Sequence, residues 1–238
     1  MKIAFLGTGN LAVALGKVWA AAGHEIFVAG RSSDNSAKAA AAFSGTPIAP
    51  AGLAAVADVI VVAVAWEGLA PMLSMAGAPD GVFAGKTVID CTNAVDYTTG
   101  RLKPGTGSAA ELVASLAPGA HVVKALHLFA GTSWPGRPNA ARGAGAVGEA
   151  GPVGEAGAVG GAGAADASGG RAVVAVCGDD GGALEVVGGL VRDLGGEVAV
   201  VGDLGSARQL EEAAGFVMRV VAAGHNPRSA VPDVPNDR

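Results

Sequence analysis

The chain opens with short apolar runs separated by helically spaced apolar residues. Residues 3–6 are a continuous apolar run, which is typical of a strand buried on both faces of a parallel sheet. Apolar side chains then recur at helical spacing, at Leu11, Leu15, Val18 and Trp19. Gly23 is suited to end this helix, and a second apolar run at residues 26–28 follows it. The pattern predicts a strand, a helix and a second strand in direct succession.

The same alternation continues along the chain. Further strands are predicted at residues 46–48, 58–64, 86–90, 121–126, 172–176 and 197–201. Helices are predicted at residues 35–43, 53–57, 108–116, 183–194 and 206–223. This order predicts an α/β protein with a Rossmann-type, doubly wound and mostly parallel sheet, followed by a small C-terminal α/β portion.

A Gly- and Ala-rich stretch interrupts the pattern between residues 131 and 170. It contains a six-residue near-repeat, AGAVGE, AGPVGE and AGAVGG, at residues 144–161. Such small side chains cannot offset the entropy of ordering, so we expect a disordered, flexible insertion, with binding of a partner as the alternative. The predicted organisation is therefore a Rossmann NADP-binding domain (1–130), the insertion (131–170), the C-terminal portion (171–225) and a frayed tail (226–238).

The turn after the first strand reads G-x-G-x-x-A, from Gly7 to Ala12. Gly7 permits the sharp exit from the strand, and Gly9 lets the backbone approach a pyrophosphate closely. Ala12 lets the helix lie close to the sheet. The free N–H groups and the dipole of the helix N-terminus favour phosphate there. In this context the motif predicts dinucleotide binding, with Gly7 and Gly9 at the phosphates.

The end of the second strand indicates which dinucleotide is bound. NAD sites place an acidic residue there, whereas this chain continues with Arg31, Ser32 and Ser33. A guanidinium and two hydroxyls suit a 2′-phosphate, so NADP(H) is the predicted cofactor. Asp34 is expected to cap the next helix. The alternative is an arginine on a solvated surface loop.

Three later strands end in further candidate binding residues. Ligands bind at the carboxyl ends of strands in a doubly wound sheet. The residues predicted there are Val64, Ala65 and Trp66, then Asn93 and Ala94, and finally His127. For Trp66 the alternative is packing in the core, and for His127 it is a structural histidine with satisfied hydrogen bonds.

Composition excludes several classes of function. With a net charge of -5 and no basic stripe, the chain is not expected to bind nucleic acid. No apolar segment reaches transmembrane length without interruption, and we expect a soluble, cytoplasmic protein. Cys91 and Cys177 lack metal-ligand spacing and are expected to be buried thiols. No metal site, paired-carboxylate motif or Ser-His-Asp set is predicted.

Five blocks of sequence resemble the coenzyme F420-dependent NADP oxidoreductases. They are GTGNLAVALGKVWAAAGHEIFVAGR, VAVAWEGL, SAAELVASLAPGAHVVKALH, AVCGDDGGALEVVGGLVRDLGGEV and SARQLEEAA. The resemblance implies NADP(H) and coenzyme F420 as cofactors, often in a homodimer. By position it places Thr8, Gly9, Asn10 and Leu11 at the pyrophosphate, and Arg31 and Ser32 at the 2′-phosphate. It also implies that residues 64–66 line the nicotinamide site and that His127 lies beside the deazaflavin. The chain departs from the family at Ala12, at Ala65 and in the insertion.

The predicted function is hydride transfer between NADP(H) and a deazaflavin or a similar small acceptor. Stacking two rings in a reactive geometry needs little acid–base help, which fits the absence of a catalytic motif. One alternative is a reductase of small imines or carbonyls, similar to the pyrroline-carboxylate reductases. Another is a non-catalytic, dinucleotide-binding interaction protein.

Overall fold

A computed structural model describes residues 1–129 and 172–231. The predicted insertion, residues 131–170, and the end of the tail, residues 232–238, lie outside the described residues. The strands are Lys2–Leu6 (β1), Glu25–Ala29 (β2), Thr46–Pro47 (β3), Val59–Val62 (β4), Thr87–Asp90 (β5), Val95–Asp96 (β6), Arg101–Leu102 (β7), His121–Lys124 (β8), Val173–Gly178 (β9) and Glu197–Val200 (β10). The helices are Asn10–Ala21 (α1), Ser33–Ala41 (α2), Leu53–Val56 (α3), Trp66–Met75 (α4), Ala109–Leu116 (α5), Gly181–Asp193 (α6) and Ala207–Ala222 (α7).

Eight of these strands form one sheet in the order β10-β9-β8-β5-β4-β1-β2-β3. Six neighbouring strands of this sheet, β8, β5, β4, β1, β2 and β3, are parallel and follow the order of a dinucleotide-binding sheet. β9 runs antiparallel to β8, and β10 runs parallel to β9. The predicted doubly wound, mostly parallel α/β fold is therefore confirmed, and the C-terminal strands extend the same sheet. The domain boundaries themselves stay a prediction.

Helices cover both faces of the sheet because successive strand residues point to opposite sides. Ile3 and Phe5 of β1 pack in a core with α1, α2 and α6. Ala4 and Leu6 pack in the other core, with α3, α4, α5 and α7. This two-sided burial explains why the strands read as continuous apolar runs.

One aromatic residue of α1 contributes to the docking of α6. Trp19 of α1 is fully buried and stacks on Phe5, with ring centroids 5.7 Å apart. Its Nε1 donates a hydrogen bond to the carbonyl of Leu190 in α6 at 3.0 Å. The first and sixth helices are therefore held together on one face of the sheet.

Two local predictions differ from the structure. Asp34 was expected to cap α2, but Ser32 is the N-cap, since its Oγ accepts from the Asn35 N–H at 3.3 Å. A serine in extended backbone just before the helix can reach this N–H, whereas Asp34 already lies inside the first turn. Residues 95–107, where neither a strand nor a helix was predicted, contain the antiparallel pair β6 and β7. At the tail, Pro227–Ala230 forms a short 3-10 helix.

Candidate functional site

The turn between β1 and α1 brings backbone to the edge of the sheet where the parallel strands end. Gly7 has φ +133°, and an added Cβ would lie 2.7 Å from the carbonyl carbon of Ala63 and still closer to its oxygen. The Gly7 N–H donates to the carbonyl of Ala29 at 2.8 Å. Only glycine fits between β4 and β2 in this conformation. The first motif glycine is thus required by the fold itself.

The start of α1 leaves its N–H groups free of side-chain caps. Gly9 is the N-cap residue, with no side-chain capping bond, and the first turn holds no acidic residue. A Cβ on Gly9 would meet no atom within 4 Å, so this side of the turn is open. Ala12 is fully buried against the core. An open backbone surface at the positive end of a helix dipole fits a pyrophosphate.

The end of β2 lies next to this turn. A Cβ on Gly30 would lie 2.7 Å from the Cγ2 methyl of Thr8, so the two segments pack directly together. Arg31 is exposed and makes no hydrogen bond or ion pair within the part of the chain that the structure describes. Ser32 and Ser33 begin α2 beside it. An uncommitted guanidinium at a helix N-terminus fits a phosphate group.

On the other side of β1, the segment after β4 enters α4 directly. Val64 accepts a hydrogen bond at its carbonyl from the Thr92 hydroxyl at 3.3 Å. Ala65 is exposed and precedes Trp66, which begins α4 and packs partly against the second core. Glu67 pairs with Lys103, whose hydrogen bond lowers the pKa of that carboxyl. Trp66 therefore packs partly against the core and stays partly exposed at the crevice, so it shares features of the predicted crevice position and of the alternative core position.

The loops after β5 and β8 meet through Asn93 and His127. The Asn93 side-chain amide donates to the His127 carbonyl at 2.6 Å. Asn93 Oδ1 and both ring nitrogens of His127 are buried and have no hydrogen-bond partner among the described residues. Ala94 is fully buried beside them in the chain. No described residue therefore supplies the hydrogen bonds that a structural histidine would make, and the role of His127 stays a prediction.

His127 is a neutral imidazole in this environment. Its side chain is buried, with 8% of the residue exposed. Burial, together with the nearby charge of Lys124, lowers the pKa of His127 to about 3. A neutral ring holds one proton and offers one donor and one acceptor nitrogen. Unpaired buried polar atoms are costly, and at a strand-end crevice they indicate a place for a polar ligand.

A buried charged cluster underlies these loops, and the sequence analysis did not predict it. Lys124 Nζ lies 2.9 Å from Asp90 Oδ2 and 3.0 Å from Glu211 Oε1, and all three side chains are fully buried. Burial lowers the pKa of Lys124, but the two carboxylates outweigh it and raise that pKa overall. Burial raises the pKa of Glu211. Charged residues at the ends of otherwise apolar strands are the signal that could have revealed Lys124 and Asp90.

The predicted residues thus lie along one edge of the sheet in two groups. The first comprises the turn at residues 7–11 with residues 31–33. The second comprises residues 64–66, 93–94 and 127. The close fit of Gly7 against Ala63 joins the two groups. Within residues 1–129 and 172–231 there is no group of three or more His, Cys, Asp or Glu that could hold a metal ion, and no helix could span a membrane.

Comparison with known protein families yields one match, in the N-terminal part of the chain. A family model described as NADP oxidoreductase, coenzyme F420-dependent, matches residues 2–94. This match confirms the predicted family resemblance over the segment from β1 to the loop after β5. A search of curated proteins finds no match.

Several solved structures share the fold. A hypothetical protein from Sinorhizobium meliloti has a TM-score of 0.58 and 22% identity, covering 87% of this chain and 86% of its own. A reductive aminase from Aspergillus terreus in complex with NADPH has a TM-score of 0.60 and 18% identity, covering 94% of this chain and 62% of its own. An imine reductase from Streptomyces aurantiacus has a TM-score of 0.61 and 13% identity, covering 94% and 64%. The chain therefore spans less than two thirds of the two reductases, and the likeness concerns the fold.

Proposed function

We propose that this chain, whose residues 2–94 match a family of NADP oxidoreductases, transfers hydride between NADP(H) and a deazaflavin such as coenzyme F420. One juxtaposition carries the proposal. A dinucleotide turn and an uncommitted arginine lie at the same sheet edge as three buried polar atoms that lack partners among the described residues. The turn and the arginine suit NADP(H), and the unpaired atoms suit the second ring system.

The residues proposed to hold NADP(H) bind by position and charge. The N–H groups at the start of α1, with Thr8, Asn10 and Leu11 around them, receive the pyrophosphate. Arg31 gives charge-assisted hydrogen bonds to the 2′-phosphate, and Ser32 and Ser33 add hydroxyls and the N-terminus of α2. When bound, NADPH supplies the hydride. Residues 64–66 then exclude water from one side of the crevice.

The second group of residues is proposed to orient the acceptor. Asn93 Oδ1 is an amide oxygen and accepts hydrogen bonds, and the bond that the amide nitrogen donates to the His127 carbonyl fixes its orientation. The neutral His127 ring offers one donor and one acceptor. A deazaflavin carries lactam N–H and C=O groups, which match this set of partners. His127 is proposed to orient the ring system and to hold its own proton, since its low pKa makes it a poor acid or base at neutral pH.

Anaerobic mixing tests this function. Purified protein is combined with NADPH and oxidised coenzyme F420, and the visible absorbance of the deazaflavin is followed. We expect enzyme-dependent bleaching that is faster with NADPH than with NADH. Absence of bleaching under conditions where NADPH binds would reject the deazaflavin as acceptor.

A second candidate function is reduction of small imines. The structural neighbours described as imine reductases and reductive aminases favour it, one of them in complex with NADPH. Oxidation of NADPH by a cyclic imine such as 1-pyrroline, without bleaching of the deazaflavin, would support this candidate instead. Binding of NADPH with neither turnover would support a non-catalytic dinucleotide-binding protein.

A homodimer and a cytoplasmic location also stay predictions. The homodimer follows from the family resemblance alone. Light scattering on the purified chain after size exclusion measures its mass, and a mass of one chain at micromolar concentration would contradict the dimer.

A further inference from the structure

A fully buried ammonium group connects three elements beneath the candidate site. Lys124 ends β8, Asp90 ends β5, and Glu211 belongs to α7, near the C-terminal end of the described chain. The ammonium contacts both carboxylates at 2.9 and 3.0 Å. Glu211 also accepts from the Ala109 N–H at 2.9 Å to Oε1 and 3.1 Å to Oε2, at the start of α5. The proposed hydride transfer uses none of these three charges directly.

Burying three charges is costly for a fold. Well-packed apolar residues often serve stability as well as a buried ion pair does, so a gain in stability does not by itself account for this cluster. The N-terminus of α5 helps to hold the Glu211 carboxylate, because N–H groups and the helix dipole favour negative charge there. That contact explains how Glu211 is tolerated, but it leaves the position of Lys124 unexplained.

The contacts of Lys124 lead directly to the unpaired polar atoms. Its ammonium donates a hydrogen bond to the carbonyl of Thr92. Asp90 Oδ1 accepts from the Thr92 N–H at 3.0 Å, so both backbone polar groups of that residue are held. The next residue is Asn93, whose amide donates to the His127 carbonyl. The ammonium therefore fixes the peptide that carries one side of the candidate acceptor site.

We propose that Lys124, held in place by Glu211, is a positioning residue that sets the Asn93–His127 pair for the acceptor. Helix α7 thereby controls the geometry of a site that it does not line. The inference rests on the proposed function for its catalytic readout, but the coupling from Glu211 to His127 can be measured without turnover. The competing role is purely structural, in which the cluster only caps α5 and stabilises the fold.

Glu211→Gln tests the coupling. The amide keeps the shape of the side chain and removes the charge that holds the ammonium, while Lys124 and Asp90 remain as a neutral pair. Glu212→Gln is the matched control, because it makes the same chemical change at the next residue of α7. Glu212 lies near the surface and pairs with Arg208 at 3.0 Å. Both variants are compared in thermal unfolding, NADPH affinity, hydride transfer and the NMR resonances of the His127 ring.

We expect Glu211→Gln to shift the His127 ring resonances and to lower kcat by about tenfold, as expected for a misplaced substrate contact. The NADPH dissociation constant should stay within about twofold, since the phosphate-binding residues lie beyond β4. Glu212→Gln should change neither quantity. A lower melting temperature with unchanged kcat and unchanged His127 resonances would overturn the proposal.

A second variant separates positioning from helix capping. Lys124→Met combined with Asp90→Asn and Glu211→Gln removes all three charges together. The amide oxygen at position 211 can still accept from the start of α5, and the one at position 90 can still accept from Thr92. The proposal expects the same shift of the His127 resonances, and unchanged resonances would overturn it. If the wild-type protein reduces neither acceptor, the proposed function fails, whereas the His127 resonances still decide the positioning role.

Discussion

Alanine at Gly7 and alanine at Gly9 are expected to damage this protein in different ways. At Gly7 the new Cβ would meet the Ala63 carbonyl in a backbone with φ +133°. Strain at a positive φ and displacement of packed neighbours each cost about 1–3 kcal/mol. The free energy of unfolding should therefore fall by about 2–6 kcal/mol, a large part of the ~5–15 kcal/mol typical of a domain.

At Gly9 the same substitution has room. Its backbone lies at φ -78° and ψ -179°, and the new Cβ would meet no atom within 4 Å. Alanine is a poorer N-cap than glycine, while it lowers the entropy of the unfolded chain, so unfolding should change by less than about 1 kcal/mol. The methyl group would, however, occupy the open side where we propose that the pyrophosphate lies. Loss of one backbone hydrogen bond to a charged group is worth about 1.5–3 kcal/mol, or roughly a tenfold to hundredfold weaker affinity.

Urea unfolding followed by tryptophan fluorescence measures the first effect, and titration with NADPH measures the second. We expect Gly7→Ala to unfold at a much lower urea concentration. Gly9→Ala should unfold near the wild-type midpoint and bind NADPH poorly. Wild-type affinity in the Gly9 variant would refute the pyrophosphate assignment, and wild-type stability in the Gly7 variant would refute the steric argument.

Three further predictions concern the cofactor, the buried histidine and the docking of α6. Arg31→Ala should weaken NADPH binding by about 1.5–3 kcal/mol and leave NADH nearly unchanged; equal losses in titrations with both would contradict the 2′-phosphate role. His127 resists protonation when folded, so its contribution to stability is present above pH 6.5 and is lost as the pH falls towards 3, by about 2 kcal/mol between pH 6.5 and 5. Urea unfolding at pH 7 and pH 5 measures this loss of unfolding free energy. We expect that part of the loss to disappear in His127→Gln and to persist in the exposed control His225→Gln. Trp19→Phe should lower the free energy of unfolding by about 1–3 kcal/mol, because the buried Leu190 carbonyl loses its donor; an unchanged urea midpoint would contradict this.

The sequence predicted the elements whose signal is local. The apolar runs identified the strands because a strand covered on both faces needs apolar residues at every position. The start of the helix predicted from residue 108 is local in the same way, because the Ser108 Oγ accepts from the Glu111 N–H only three residues away, at 3.1 Å. Gly7 was identified because the turn chemistry of a strand–helix junction restricts the residue at that position.

The sequence was a less reliable guide where two residues could serve as the helix cap, or where helix propensity and packing disagreed. Ser32 and Asp34 are both good capping residues, and only the backbone conformation decides between them. Helix α4 was not predicted, since Gly68 and Pro71 disfavour helices by propensity, and packing of Leu69, Met72 and Leu73 overrides them.

The sequence by itself therefore determined the order of the sheet strands and of every helix except α4, the glycine turn after β1 and the residues at the strand ends, because each follows from spacing over a few residues. Only the tertiary structure decided that β9 runs antiparallel to β8, that polar atoms of Asn93 and His127 find no partner among the described residues, and that Lys124 joins Asp90 and Glu211. The two carboxylates lie 34 and 87 positions from that lysine in the chain, which no local spacing relates. Their closeness in space is set by how α7 packs against the sheet. The interaction of a buried charge depends on its distance from other charges in space and on its shielding from water, and sequence spacing gives neither.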